Sequence, residues 1–176
     1  MAASYTAKVL ASFIAAEEWT MDGAGGTATI PHKVAFDTNL AAGTAAGQVA
    51  MAWHDSVSLP VGTGPLQLDG LTQLDAAGAT LHSVAFGVVK GIMIKNTSAS
   101  GKLTIGGGTG GGGAADAWAG AGTPFVSDAS RIDIPFGGLF VWYEPAGTAV
   151  ANSTADVLEF EATSATQTFQ IAIIGE

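Results

Sequence analysis

Cysteine is absent from the 176 residues, so neither a disulfide framework nor a thiolate metal site can form, and the fold must hold by packing alone. Charge is scarce too: Asp, Glu, Lys and Arg make up 12 % of the chain, against about 25 % in an ordinary soluble domain. Fewer charges leave more neutral surface to be covered by copies of the chain, by a partner, or by small Ala and Thr side chains on exposed strands. Basic residues are the rarest, six against fifteen acidic ones for a net charge of -9, and they form no run. That balance argues against a phosphate-binding surface and hence against a DNA or RNA partner. No apolar run reaches the roughly 18 residues of a membrane span. The opening MAASYTAKVLASFIAAEEW lacks the basic start, long apolar stretch and cleavage site of a secretory signal. The expectation is a soluble chain made in the cytoplasm, with no membrane partner.

What the sequence does hold is a succession of short segments rich in Val, Ile, Phe, Thr and Trp, separated by turn residues. Strands are expected at 5–14, 29–36, 48–59, 65–71, 84–96, 102–105, 131–134, 139–143, 157–162 and 168–174. Leu66 and Leu68 alternate with Gln67 and Asp69, and Leu158 and Phe160 with Glu159 and Glu161, so each segment turns one face inward and one to water. The runs Val88 to Ile94 and Ile171 to Ile174 are nearly all apolar and predict strands covered on both sides. The Ala-rich stretch 40–49 and the stretch 71–82 are the candidates for a helical turn. One domain over residues 1–176 is expected, an all-β antiparallel β-sandwich of jelly-roll type, able to hide about 70 % of its unfolded surface. Residues 1–19 read as an N-terminal arm or edge strand. The low-complexity GGGTGGGG at 106–113 opens a long Gly-rich loop, 106–125. Long loops of this kind are functional or ordered by a partner: the segment is expected to carry an intersubunit contact or to tuck its aromatics onto its own chain.

No catalytic constellation emerges. A phosphate loop needs GxxxxGK followed by Ser or Thr, whereas Lys102 precedes the glycine run and is followed by Leu103. His32, His54 and His82 lie far apart without metal-ligand spacing, and no DxDxDG calcium loop is present. His54 and Asp55 are adjacent, but neighbours on a strand point to opposite faces. There is no GxSxG elbow around any serine. Glu159 and Glu161 read as a solvated edge that blocks strand pairing, and Glu17, Glu18 and Glu176 likewise as solvated acids. Catalytic, cofactor and metal residues are therefore expected to be none. Of the tryptophans, Trp142 in LFVWY reads as core. Trp19 and Trp118, with Gly110 and Phe125 of the long loop, are the candidate interface residues, because aromatics bury large area at low entropic cost.

The order of segments resembles small structural proteins of tailed bacteriophage virions. The residues that carry the likeness are Ala52-Trp53-His54-Asp55, Leu66 to Thr72, Ala76-Ala77-Gly78, Lys90 to Asn96 (KGIMIKN), Gly101 to Gly107, Ile132 to Pro145, Thr154 to Leu158 and Ile171 to Gly175. It covers residues 48–176 and departs at the glycine run and at 116–123. The resemblance implies a virion β-sandwich without catalytic residues. By analogy of fold it implies a capsid decoration (cement) protein on the capsid exterior, a homo-oligomer such as a trimer bound to the major capsid protein and bridging capsomers. The competing expectation is a tail- or fibre-associated module that recognises host-surface glycan through loop tryptophans.

Overall fold

Alternation of buried and exposed side chains fixes which face of each strand turns to the core, and it is clearest in Gln167–Gly175, where residues 167, 169, 171, 173 and 175 are buried and those between them are not. In chain order the strands are β1 (Ala7–Thr20), β2 (Thr27–Ala42), β3 (Gln48–Val49), β4 (Met51–Leu59), β5 (Gly62–Gln67), β6 (Leu71–Leu74), β7 (Thr80–Val84), β8 (Val88–Asn96), β9 (Lys102–Gly106), β10 (Arg131–Pro135), β11 (Leu139–Ala149), β12 (Val157–Ala162) and β13 (Gln167–Gly175). The structure, a computed structural model, describes residues 7–20, 27–74, 80–106, 117–127, 129–151 and 154–176, and of 7–20, 27–36, 73–74 and 80–82 the backbone only. No helix occurs among the described residues.

Eight strands form an antiparallel β-sandwich of two four-stranded sheets, ordered β11-β8-β13-β4 and β10-β9-β12-β5. The pairing is nested: β4 pairs with β13, β5 with β12, β8 with β11 and β9 with β10, so the first of the eight meets the last and the middle two meet each other. Further pairs, β8 with β13 and β9 with β12, stitch the nested hairpins into sheets. Between the sheets lies one apolar core. Ile92, Ile94, Phe169 and Ile171 reach it from one side, and Leu103, Ile105, Leu158 and Phe160 from the other. Phe160 and Phe169 stack across the gap with ring centroids 4.6 Å apart. Each such side chain stabilises the fold by about 1.5–3 kcal/mol on burial.

Outside the sandwich, β6 and β7 form a hairpin, and β1 pairs with β2 from Ala7↔Leu40 to Thr20↔Thr27 as a long ribbon with β1 at its edge. Fourteen pairs make it about 48 Å long. Its base is tied to the body through β3, which runs parallel to the end of β2.

Of the two stretches expected to hold a helical turn, the Ala-rich one does not, and the other shows none among its described residues. Residues 71–74 and 80–84 are strands, with 75–79 outside the described residues. In the Ala-rich stretch 40–49, β2 runs to Ala42 and a turn follows, because the fully buried Lys90 collects its carbonyls: Nζ donates to the oxygens of Thr44 (2.8 Å), Ala45 (3.0 Å) and Gln48 (3.1 Å). A buried ammonium satisfied by three carbonyls outweighs the few tenths of a kcal/mol per residue by which alanine prefers a helix. Glu176 adds a charge contact, Oε2 standing 3.4 Å from Nζ whose protons already point at carbonyls.

Candidate functional site

The described part of the connection between β9 and β10, residues 117–127 and 129–130, is bound to the body of the sandwich. Ala117 bridges to Val157, the Trp118 amide donates to the Val157 carbonyl (2.9 Å), and the indole Nε1 donates to the Ala149 carbonyl of β11 (3.2 Å). One residue thus ties the two sheets together. Its ring meets Trp142 edge to face, centroids 5.4 Å apart at 83°, a geometry that suits the ring quadrupoles. Trp118 and Phe125 are both fully buried in the core. This corrects their expected role as interface anchors: neither presents a face to a partner, and the aromatics are tucked onto their own chain. Trp142 packs against the core. Gly110 and the Trp19 side chain lie outside the described residues, although the Trp19 backbone pairs with Ala28.

A second correction concerns Glu159. It is buried, and β12 is an inner strand between β9 and β5, so its acids do not guard an edge. On the outward face of this sheet Glu159 and Arg131 stand on either side of Gly106 in register. Lacking a side chain, Gly106 lets Arg131 lie across β9: a Cβ there would sit 2.7 Å from Arg131 Cδ. The guanidinium Nη2 reaches within 3.9 Å of Glu159 Oε1. Further along the same face Asp133 accepts hydrogen bonds from Lys102 Nζ (2.6 Å) and Thr104 Oγ1 (2.7 Å). These bonds, Lys102's first, hold the Asp133 carboxyl below its ordinary value. The outer face of β10-β9-β12-β5 is therefore polar, charged and internally paired.

The outer face of β11-β8-β13-β4 has another chemistry. Ile92 and Ile94 of β8 point inward, so Met93 and Lys95 point out, and Phe140 and Trp142 of β11 likewise leave Leu139 and Val141 outside. Register lines these up in rows across the sheet, Val141–Met93–Ala172–His54 and beside it Leu139–Lys95–Gln170–Ser56. Leu139 (61 %), Met93 (48 %) and Val141 (40 %) are among the most exposed large apolar side chains described, and Phe136 sits at the rim in the turn before β11. Tyr143 and Ile174 continue the band, and burial, with Glu144 beside it, raises the Tyr143 hydroxyl above its ordinary value. The face is dished: a shallow hollow of about 430 Å³ is lined by Met93, Leu139, Ala172, His54, Lys95 and Gln170. The expectation that the runs 88–94 and 171–174 are covered on both sides is met on the core side, whereas Met93 on the outer side is half exposed.

Among the described residues no group of three His, Asp or Glu side chains could hold a metal ion, and no helix is long and apolar enough to cross a membrane. His54 and Asp55 are both exposed on the edge strand β4, where Asp55 Oδ1 accepts the Ser56 amide at 2.7 Å. The buried polar residues serve the fold. Asn96 Nδ2 donates to the Ile134 carbonyl (3.0 Å) and to Gln167 Oε1 (3.3 Å), and Gln167 Nε2 donates to the Ser100 carbonyl (3.2 Å), so the end of KGIMIKN is a staple between the sheets. What the arrangement offers is an exposed apolar band of Met93, Leu139 and Val141 on one back of the sandwich. No family model, curated protein or solved structure matches the chain.

Proposed function

We propose that this chain is a structural subunit that works by being built into a larger assembly, and specifically a capsid decoration protein of a tailed bacteriophage. The observation that carries the assembly reading is the outer face of β11-β8-β13-β4, where exposed Met93, Leu139 and Val141 lie side by side on a rigid sheet. A band of this kind favours a partner because covering it yields about 25 cal/mol for each Å² of apolar area. The nested pairing of eight strands supports the finer architecture of a jelly roll, one long antiparallel hairpin wound into two sheets. The virion role rests on the segment order from Ala52 to Gly175, and the low charge and neutral face agree with it. In this reading the partners are the major capsid protein and further copies of the chain, on the capsid exterior. Many repeated weak contacts add up to resist the pressure of packaged DNA. The ribbon β1–β2 is the arm that reaches a neighbour.

The glycan-recognising alternative loses one of its two loop tryptophans, since Trp118 is inside the core. Cryo-electron microscopy of particles purified from the source of this chain tests the proposal. Density for the sandwich on the icosahedral shell at a fixed copy number per capsomer supports it. Shells without such density, or density confined to a tail, contradict it.

A further inference from the structure

The geometry points to a second copy of this chain as the occupant of the neutral face: two β11-β8-β13-β4 sheets pack outer face to outer face about a two-fold axis near Met93. This deepens the assembly reading of that face and rests on it. Size is the first support. Four strands spaced about 4.8 Å apart, paired over the nine residues of β4 and β13 at about 3.4 Å each, present about 580 Å². Two copies then bury about 1,150 Å², above the roughly 1,000 Å² that a specific interface needs. The second support is the distribution of charge. Along the Val141–Met93–Ala172–His54 row there is no Asp, Glu, Lys or Arg, His54 sits at its far end on the edge strand β4, and Lys95 lies one row away from Met93. A two-fold axis through the Met93 row places the two Lys95 ammoniums on opposite sides of it, so like charges are not forced together. The same operation laid on the other sheet would oppose two copies of the Lys102–Asp133 and Arg131–Glu159 pairs, whose partners are already within their own chain. Shape is the third support. The hollow lined by Met93, Leu139 and Ala172 takes side chains of a facing copy, and an isologous pairing uses the same patch on both partners.

The test exploits the cysteine-free sequence. Sedimentation of the purified full chain should give twice 17.5 kDa. Met93→Cys should be joined into a covalent dimer by a short bis-maleimide that spans the roughly 10 Å between facing sheets, whereas Thr63→Cys on the opposite face should stay uncrosslinked. Met93→Glu should weaken self-association by on the order of a hundredfold, because it buries an unpaired carboxylate, with the circular dichroism spectrum unchanged and the melting curve matching that of the parent at concentrations where both are monomeric. A chain that remains monomeric at all concentrations overturns the inference. So does a dimer that Met93→Glu leaves intact, or one that Thr63→Cys crosslinks and Met93→Cys does not. A dimer of the purified chain combined with bare capsid shells would leave the inference standing and remove the decoration reading; sandwich density on shells combined with a monomeric chain would do the reverse.

Discussion

The two sheets of this sandwich share one core and differ on their backs. On the back of β10-β9-β12-β5, Lys102, Thr104 and Asp133 bond to one another and Arg131 lies over Gly106 toward Glu159. On the back of β11-β8-β13-β4, Met93, Leu139 and Val141 stand exposed beside Ala172. An antiparallel sheet facing water on one side ordinarily alternates apolar and polar residues. The first sheet obeys that rule and is finished by its own side chains. The second departs from it, and in our proposal the departure marks the surface that another molecule covers.

Substitutions that separate the two backs sharpen this contrast. The largest effect belongs to what both sheets share: Phe169→Ala removes a fully buried ring stacked on Phe160 and should cost about 3–5 kcal/mol in urea unfolding. Next, Lys90→Met strips the donor from three carbonyls of the 44–48 turn and should cost about 3 kcal/mol. On the polar back, Gly106→Ala would press on the Ser130 carbonyl as well as on Arg131, and it should shift both and cost about 1–3 kcal/mol in the same assay. Asp133 supplies a smaller, pH-dependent effect. Its carboxyl is held below the ordinary value in the fold, so its contribution is complete above the unfolded value of about 3.9 and is lost as pH falls through the lower folded value. Asp133→Asn should remove that part of the acid-side fall in stability, and added salt should shrink it because the pair is half exposed. On the apolar back, Met93→Ser should leave unfolding of the chain, measured at a concentration where it is monomeric, within about 0.5 kcal/mol of the parent. A large loss there would show Met93 serving its own fold and would collapse the contrast.

Much of this was readable in the sequence because strands announce themselves locally. The alternation of Leu158 and Phe160 with acids placed β12 at 157–162, and the segments at 102–105, 131–134 and 168–174 fall within one residue of β9, β10 and β13 at each end. The apolar back was foreshadowed too, since the run Val88 to Ile94 is apolar but for Lys90, which turns inward, and leaves nothing polar for water on the outer face before Lys95. What local pattern cannot supply is a partner distant in sequence. Nothing near Glu159 says that Arg131, two strands across, will cover it, and nothing near Trp118 says that the carbonyls of Val157 and Ala149 will receive its amide and indole. The Ala-rich stretch 40–49 misled for the same reason, its helical preference being overridden by Lys90, more than forty residues away in the chain.

If the two backs have different fates on assembly, hydroxyl-radical footprinting of the chain, once diluted until it is monomeric and once incorporated into its particle, reads the difference. The account predicts that Met93, Leu139 and Val141 lose most of their reactivity on incorporation while Pro135 and Lys102 on the other back keep theirs. Reactivity of Met93 and Val141 that is unchanged, or protection confined to the Lys102–Asp133 face, would contradict it.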